Sequence, residues 1–359
     1  MEIINTKDAE WLKKWDAFIL SENRGSHLLL TDWVKSFRSY GFDYEMAIFV
    51  ENGIIRGGFA AIIAKVAMFR FYIVPYGPIV TKDFEYLLDD MIAHVKVRAK
   101  TYKSCYCHIT LPHSDLLNSH LYHDLPALPS VSNAKEGHLF KYVYSSNGLN
   151  WVGLKQFEDE ESLLNNFRPS VRRYIRSSLR KELQEKFLTQ HDEVKRGYDL
   201  CLENARKHQY SLRSWEAFKE TLLAMIQDGT AKFIGAFQGE DLKGAALVIR
   251  AGNYNTYILG GTKKEKPDVL AGHFLHWKAI EMSFRENLSG YNISLGGSKG
   301  VVDLKNSYAE AQLYFTDSKY HWVLKPAVFK AYLFFEKHLK PHKKIISKVL
   351  STLTKRNDK

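Results

Sequence analysis

The chain has almost no cysteine: Cys105, Cys107 and Cys201 are the only three in 359 residues. Three thiols cannot build a disulfide framework, and such sparing use fits a reducing compartment. Long hydrophobic runs are also missing. The run Gly57 to Ala64 is cut by Lys65 and is far too short to span a bilayer. Met1 leads into the polar, acidic stretch Glu2 to Glu10, which does not read as a secretory signal. No low-complexity segment and no long charged helical insertion interrupts the chain. Neither a Ser-His-Asp nor a Cys-His arrangement is legible. Gly296-Gly297-Ser298-Lys299-Gly300 lacks the Walker spacing and reads as a Gly turn after a buried strand. Cys105, Cys107 and His108 lie on an alternating strand without zinc spacing, so no metal is expected. These absences exclude a secreted disulfide scaffold, a membrane-spanning protein and the familiar nucleophile and metal chemistries. A cytoplasmic globular chain is expected.

Apolar residues make up 45% of the chain and aromatics 13%, and the length suits two cores better than one. A repeated segment points the same way. Ala47 to Ala60 and Phe233 to Ala246 each read as an apolar strand, a short Gly-bearing turn and a second strand opened by Gly. Each leads into an aromatic strand, Phe69 to Val74 in one case and Tyr254 to Leu259 in the other. Around these the spacing predicts helices over Ala9–Ser21, Leu30–Tyr40, Tyr86–Lys100, Asp115–Tyr122, Glu160–Asn166, Pro169–Lys186, His191–His208, Arg213–Asp228 and Leu270–Glu286. Strands are predicted at Tyr106–Leu111, Leu139–Tyr144, Trp151–Leu154, Asn292–Leu295 and Gln312–Thr316. Helices and strands mix within each half, so the class is α+β with mixed sheets. The turn at Asn147-Gly148 divides the chain into residues 1–148 and 149–324, followed by a basic stretch 325–359 expected to pack on the first half. A cleft between like domains is a usual place for a ligand.

The net charge is +11 and concentrates at the end, where Lys325 to Lys359 holds ten Lys or Arg against Glu336 and Asp358. Ile345, Ile346, Val349, Leu350 and Leu353 share one helical face, with Lys343, Lys344 and Lys348 between them. Arg172, Arg176 and Arg180, at four-residue spacing, share a face of the basic helix. Both sets are candidates for contact with RNA phosphates or an anionic membrane, and both also suit a solvated helix face.

Several weak motifs occur in a telling order. These are Trp33-Val34-Lys35, Tyr76-Gly77-Pro78-Ile79-Val80, Arg172-Arg173-Tyr174-Ile175-Arg176, Gly296-Gly297, and Asp303-Leu304-Lys305-Asn306-Ser307-Tyr308. In that order and spacing the chain resembles, from about Trp11 to Thr316, the Fem aminoacyltransferases of peptidoglycan cross-bridges, and among them the members without a helical-hairpin arm. The resemblance implies two tandem acetyltransferase-like (GNAT) domains. It implies transfer of an amino acid from aminoacyl-tRNA to the amine of a UDP- or lipid-linked cell-wall precursor, by a monomer without a cofactor. It implies that Lys305 stabilises the charge at the transferred carbonyl, that Lys35 and Arg213 grip the precursor diphosphate, and that Tyr106 and Tyr257 contact the precursor. A further family tyrosine falls on Ala217 here, and the acid usual two residues before the Gly pair is Ser294. Two other classes stay open. One is an acyl-CoA-dependent N-acyltransferase acting on an envelope sugar, although Lys263 to Gly272 lacks the Gly-rich turn that cradles a pyrophosphate. The other is a non-catalytic binder of the inner membrane face or of nucleic acid.

Overall fold

The computed structural model describes residues 1–112, 134–297, 299–315 and 318–340. The helix expected at Asp115–Tyr122 lies outside these residues, as do Lys343, Lys344 and Lys348. The chain forms two mixed sheets built on one plan, consistent with the repeat read from the sequence.

In the first half β1 (Glu2–Thr6), α1 (Ala9–Ser21) and α2 (Thr31–Lys35) precede the hairpin strands β2 (Asp43–Glu51) and β3 (Ile54–Val66). Then come β4 (Phe69–Val74), β5 (Ile79–Val80), α3 (Leu88–Thr101), β6 (Tyr106–Thr110) and β7 (Lys135–Glu136). The second half holds β8 (Gly148–Gly153), α4 (Glu160–Asn166), α5 (Pro169–Leu179), β9 (Gln184–Phe187), α6 (His191–Lys207) and α7 (Trp215–Gln227). Its central unit is β10 (Ala231–Gln238), β11 (Asp241–Ala251), β12 (Tyr254–Thr262), α8 (Ala271–Arg285) and β13 (Gly290–Asn292). The chain continues with α9 (Lys299–Tyr308), β14 (Ala311–Tyr314), β15 (Lys319–Val323) and α10 (Pro326–Phe334).

The two plans superimpose in words. Three antiparallel strands (β2-β3-β4 or β10-β11-β12) are followed by a helix (α3 or α8). That helix returns the chain to a strand parallel to the third, β6 beside β4 and β13 beside β12. Both hairpins even carry a bulge at the same place, an extra residue just past the turn: Arg56 in β3 and Lys243 in β11. The first turn places Asn52 and Gly53 at φ 51° and 79°, the left-handed pair that a two-residue hairpin loop favours.

The structure revises several expectations. The segment Lys319–Val323, assigned to the second half, pairs antiparallel with β6 and so belongs to the first sheet. The helix expected over Leu30–Tyr40 is α2 followed by a 3-10 turn, Ser36–Tyr40. No side chain within it caps its start; the Asp16 carboxylate accepts the Thr31 N–H at 2.8 Å. The basic helix expected to reach Lys186 ends at Leu179, because Glu182 turns left-handed at φ 55° and the chain then pairs with β10 as β9. Leu139–Tyr144 is irregular rather than a strand.

The halves share one apolar core, which runs from Trp15, Leu29 and Phe37 to Phe218, Leu247 and Tyr254. Backbone meets backbone where they join. Gly252 N–H donates to the Ile19 carbonyl at 3.0 Å, and the Tyr254 hydroxyl donates to the Gly25 carbonyl at 2.8 Å. A Cβ on Gly25 would fall 2.1 Å from the Ile19 oxygen, so only glycine allows this approach.

Candidate functional site

The two sheets differ at one decisive place. In the first half β4 and β6 pair over four residues, and Gly77 N–H then donates to the Thr110 carbonyl at 2.6 Å, closing the gap. In the second half β12 and β13 pair only over Tyr254–Thr256 and Gly290–Asn292. Beyond that the strands part, leaving a fork between Tyr257 on one side and Ser294 on the other.

Lys305 fills the fork. α9, an element not foreseen from the sequence, carries it under the segment that leaves β13. Its side chain is buried, and Nζ donates to Ser294 Oγ at 2.7 Å and to the Gly296 carbonyl at 2.6 Å. The ammonium lies 5.0 Å from the centre of the Tyr257 ring. An ammonium has three N–H bonds, so two acceptors leave one donor free. Burial lowers the Lys305 pKa to about 8.

Asparagines build the cradle. Asn292 Oδ1 accepts both the Asn150 N–H and the Ser294 N–H, each at 3.0 Å. That holds Ser294 left-handed at φ 64°, and its hydroxyl meets Lys305. Asn150 Nδ2 then reaches Asn306 Oδ1 at 2.9 Å, tying α9 to β8. Tyr257 lies along β12 because residue 260 is glycine; a Cβ there would sit 2.6 Å from the tyrosine oxygen. His276 packs 4.9 Å from the Tyr257 ring, and burial, helped by the charge on Lys305, lowers its pKa to about 3. It is therefore a neutral wall of the site at physiological pH. Tyr308 Oη and His273 Nδ1, 2.7 Å apart, continue this wall.

The elements that carry Lys35 and Arg213 meet. Arg213 reaches across from the second half and donates to the hydroxyl of Ser36, the residue after Lys35. Its guanidinium sits among the rings of Trp33, Phe37, Tyr40 and Phe218, with centres 4.8 to 5.4 Å away. Burial lowers its pKa from the ordinary value. Lys35 is half-exposed and lies 3.8 Å from Asp32. In the fork, burial raises the pKa of Tyr257.

Tyr106 is a correction. It is fully buried, stacked on Phe329 at 4.9 Å and on His321 at 5.3 Å, and its hydroxyl accepts the Leu139 N–H at 3.0 Å. α10 covers the sheet face that Tyr106 occupies and His321 of the adjacent strand β15 packs beside it, so no face of Tyr106 remains for a substrate. Tyr106→Phe should therefore lower stability by about 1 kcal/mol, the worth of one buried hydrogen bond. Thermal unfolding should register that loss while precursor affinity stays unchanged.

On α5, Arg172 donates to the Asn165 carbonyl at 2.8 Å and Arg176 to the Glu161 carboxylate at 2.8 Å. With Arg173 and Arg180 they line a shallow groove of about 400 Å³. No group of three or more His, Cys, Asp or Glu able to hold a metal occurs among the described residues. At the start of α8 the Asp268 carboxylate accepts the Leu270 N–H at 2.8 Å.

Residues 165–300, which include the fork strands, match the family model described as an acetyltransferase (GNAT) domain. Among solved structures, the crystal structure of FemX matches with a TM-score of 0.75 at 15% identity, covering 92% of this chain and 99% of that one. The chain shares the fold of FemX. Its second half carries an acyltransferase domain of the GNAT class, and the resemblance to the Fem family holds at the level of the fold. The C-terminal domain of a putative lysylphosphatidylglycerol synthetase from Agrobacterium fabrum matches with a TM-score of 0.52 at 12% identity, covering 91% of this chain and 97% of that one. L-PGS from Bacillus licheniformis matches with a TM-score of 0.51 at 12% identity, covering 92% and 96%. No curated protein matches the chain by sequence.

Sequence reasoning missed α9 and the asparagine cradle of this FemX-like fold, and read Ser294 only as a departure from the family's acid, not as the partner of Lys305. Val302, Lys305 and Tyr308 recur at helical spacing, a signal the preceding glycines obscured. Nothing local marks Asn150, Asn292 and Asn306 as partners, since they are joined only by the folded sheet.

Proposed function

We propose that the chain is an aminoacyltransferase that moves an amino acid from aminoacyl-tRNA to an amine of a nucleotide- or lipid-linked cell-wall precursor. The observation that carries this reading is Lys305 in the fork, a buried cation with one N–H free. A neutral amine attacks the ester carbonyl, a C–N bond forms, and the carbonyl oxygen gathers negative charge. The free N–H and the charge of Lys305 meet that oxygen in a water-poor setting, where such a contact is strongest. As the C–O ester bond breaks, the proton lost by the amine goes to the leaving ribose oxygen. The remaining work is positioning, for which Lys35 and Arg213 hold the precursor diphosphate and Tyr257 lines its path. Exposed Arg173 and Arg180, with Arg172 and Arg176, supply cations for the RNA phosphates.

The fold class also admits acyl-CoA as donor. In that chemistry the helix N-terminus after the third strand receives a pyrophosphate. Here the carboxylate of Asp268 already accepts an N–H at that point, and a second anion beside it would be repelled. The residues present therefore suit coenzyme A poorly. Calorimetry tests the choice: a nucleotide-linked muramyl peptide should bind and coenzyme A should not. Saturable coenzyme A binding without precursor binding would overturn the proposal.

The pH dependence follows from Lys305. If its ammonium stabilises the oxyanion, kcat corrected for the neutral fraction of the acceptor amine is flat below about pH 8 and falls about tenfold per unit above it, as the folded pKa is passed. Stability moves the other way. The unfolded lysine keeps its proton to about pH 10.4, so between the two values the unfolded state binds more protons and stability rises with pH. Rate and unfolding profiles measured together should cross in this window.

A further inference from the structure

One element has no part in the transfer reaction. α10, Pro326 to Phe334, is apolar on every side except at Lys330. A helix apolar all round is ordinarily enclosed. This one is only half covered. Tyr332 packs 4.6 Å from Phe71 and Phe329 stacks on Tyr106, but Val328, Leu333 and Phe334 are 40%, 41% and 59% exposed. Phe334 is two residues past Tyr332 and five past Phe329, so it leaves the opposite side of the helix. The turn between β3 and β4 widens the patch. Phe69 contacts Tyr332 at 5.5 Å, and Met68 just before it is 81% exposed.

The rim has one sign. Lys65, Arg70, Lys330 and Lys337 are exposed around this surface. The nearby acid Glu336 is already held by Tyr142 at 2.5 Å and Lys340 at 3.0 Å. Residues 341–359 carry five Lys and one Arg against Asp358 alone. Like charge disfavours a second copy presenting the same patch. An anionic bilayer complements both the apolar centre and the cationic rim. We infer that α10 and the Met68 turn form a docking surface for an anionic lipid bilayer. No helix among the described residues is long and apolar enough to cross a membrane, so the contact is one of lying on the surface.

Flotation of the full chain with vesicles tests this without any transfer step, so its failure is distinguishable from failure of the aminoacyltransfer reading. Vesicles of phosphatidylcholine mixed with phosphatidylglycerol should bind the chain, and phosphatidylcholine alone should not. Added salt should weaken the binding. Leu333→Ser/Phe334→Ser should raise the lipid concentration for half-binding about tenfold or more, since each side chain loses its transfer out of water. Both residues are exposed, so the melting temperature should stay unchanged. Three results would overturn the inference: no binding to the anionic vesicles, equal binding by the double variant, or a wild-type dimer that the double variant converts to monomer.

Discussion

Lys305→Met lowers the rate of amino-acid transfer about 100- to 1,000-fold, the usual cost of removing one oxyanion donor. Single-turnover kinetics with saturating precursor reads this directly. The methylene stem of Met fills most of the volume of Lys, so the fork keeps its shape. Precursor affinity should therefore hold, because Lys35 and Arg213 are untouched. Stability should rise, because a buried cation whose pKa burial has lowered to about 8 is replaced by an apolar group. A loss of rate accompanied by a gain in melting temperature separates a chemical role from a structural one. Lys305→Arg does not rescue: its fork is planar and larger than the space between Ser294 and Tyr257 was built for.

Arg213→Ala gives the second large effect. Precursor binding weakens about 10- to 100-fold, as expected for losing charged hydrogen bonds to a phosphate. This variant also destabilises the fold, since the guanidinium fills a space among four rings and hydrogen-bonds Ser36 across the two halves. Lys35→Ala supplies the comparison. Lys35 is half-exposed with a distant carboxylate partner, so its loss weakens precursor binding with a stability change within about 0.5 kcal/mol. If Lys35→Ala binds precursor as well as the wild type, the diphosphate assignment is wrong. Calorimetric titration with the precursor, beside thermal unfolding of each variant, makes both measurements.

The duplication was legible because a hairpin leaves a local mark: alternating apolar residues, a Gly-bearing turn and a glycine opening the next strand. Its two copies place β2-β3 and β10-β11 where the pattern says, down to matching bulges. Helices with a clear apolar stripe, such as α1 and α6, were legible for the same reason. The fork was not, because it depends on where pairing stops. β4 continues into Gly77 and closes against Thr110, whereas β12 stops pairing at Thr256, and no single residue announces that difference. Tyr106 shows the converse limit. Its alternation with His108 on β6 says that it faces one sheet surface, but the helix covering that surface is α10, residues 326–334, more than two hundred positions later. Arg213 and Lys35 could be paired only through the resemblance, since no periodicity links residues so far apart.

One measurement bears most directly on the account. The chain is incubated with a cell-wall precursor, a mixed pool of aminoacyl-tRNAs and acetyl-CoA together, and the precursor is then weighed by mass spectrometry. The account predicts a product heavier by one aminoacyl residue, absent when the pool is first treated with ribonuclease and nearly absent with Lys305→Met. A precursor heavier by an acetyl group and insensitive to ribonuclease would contradict it.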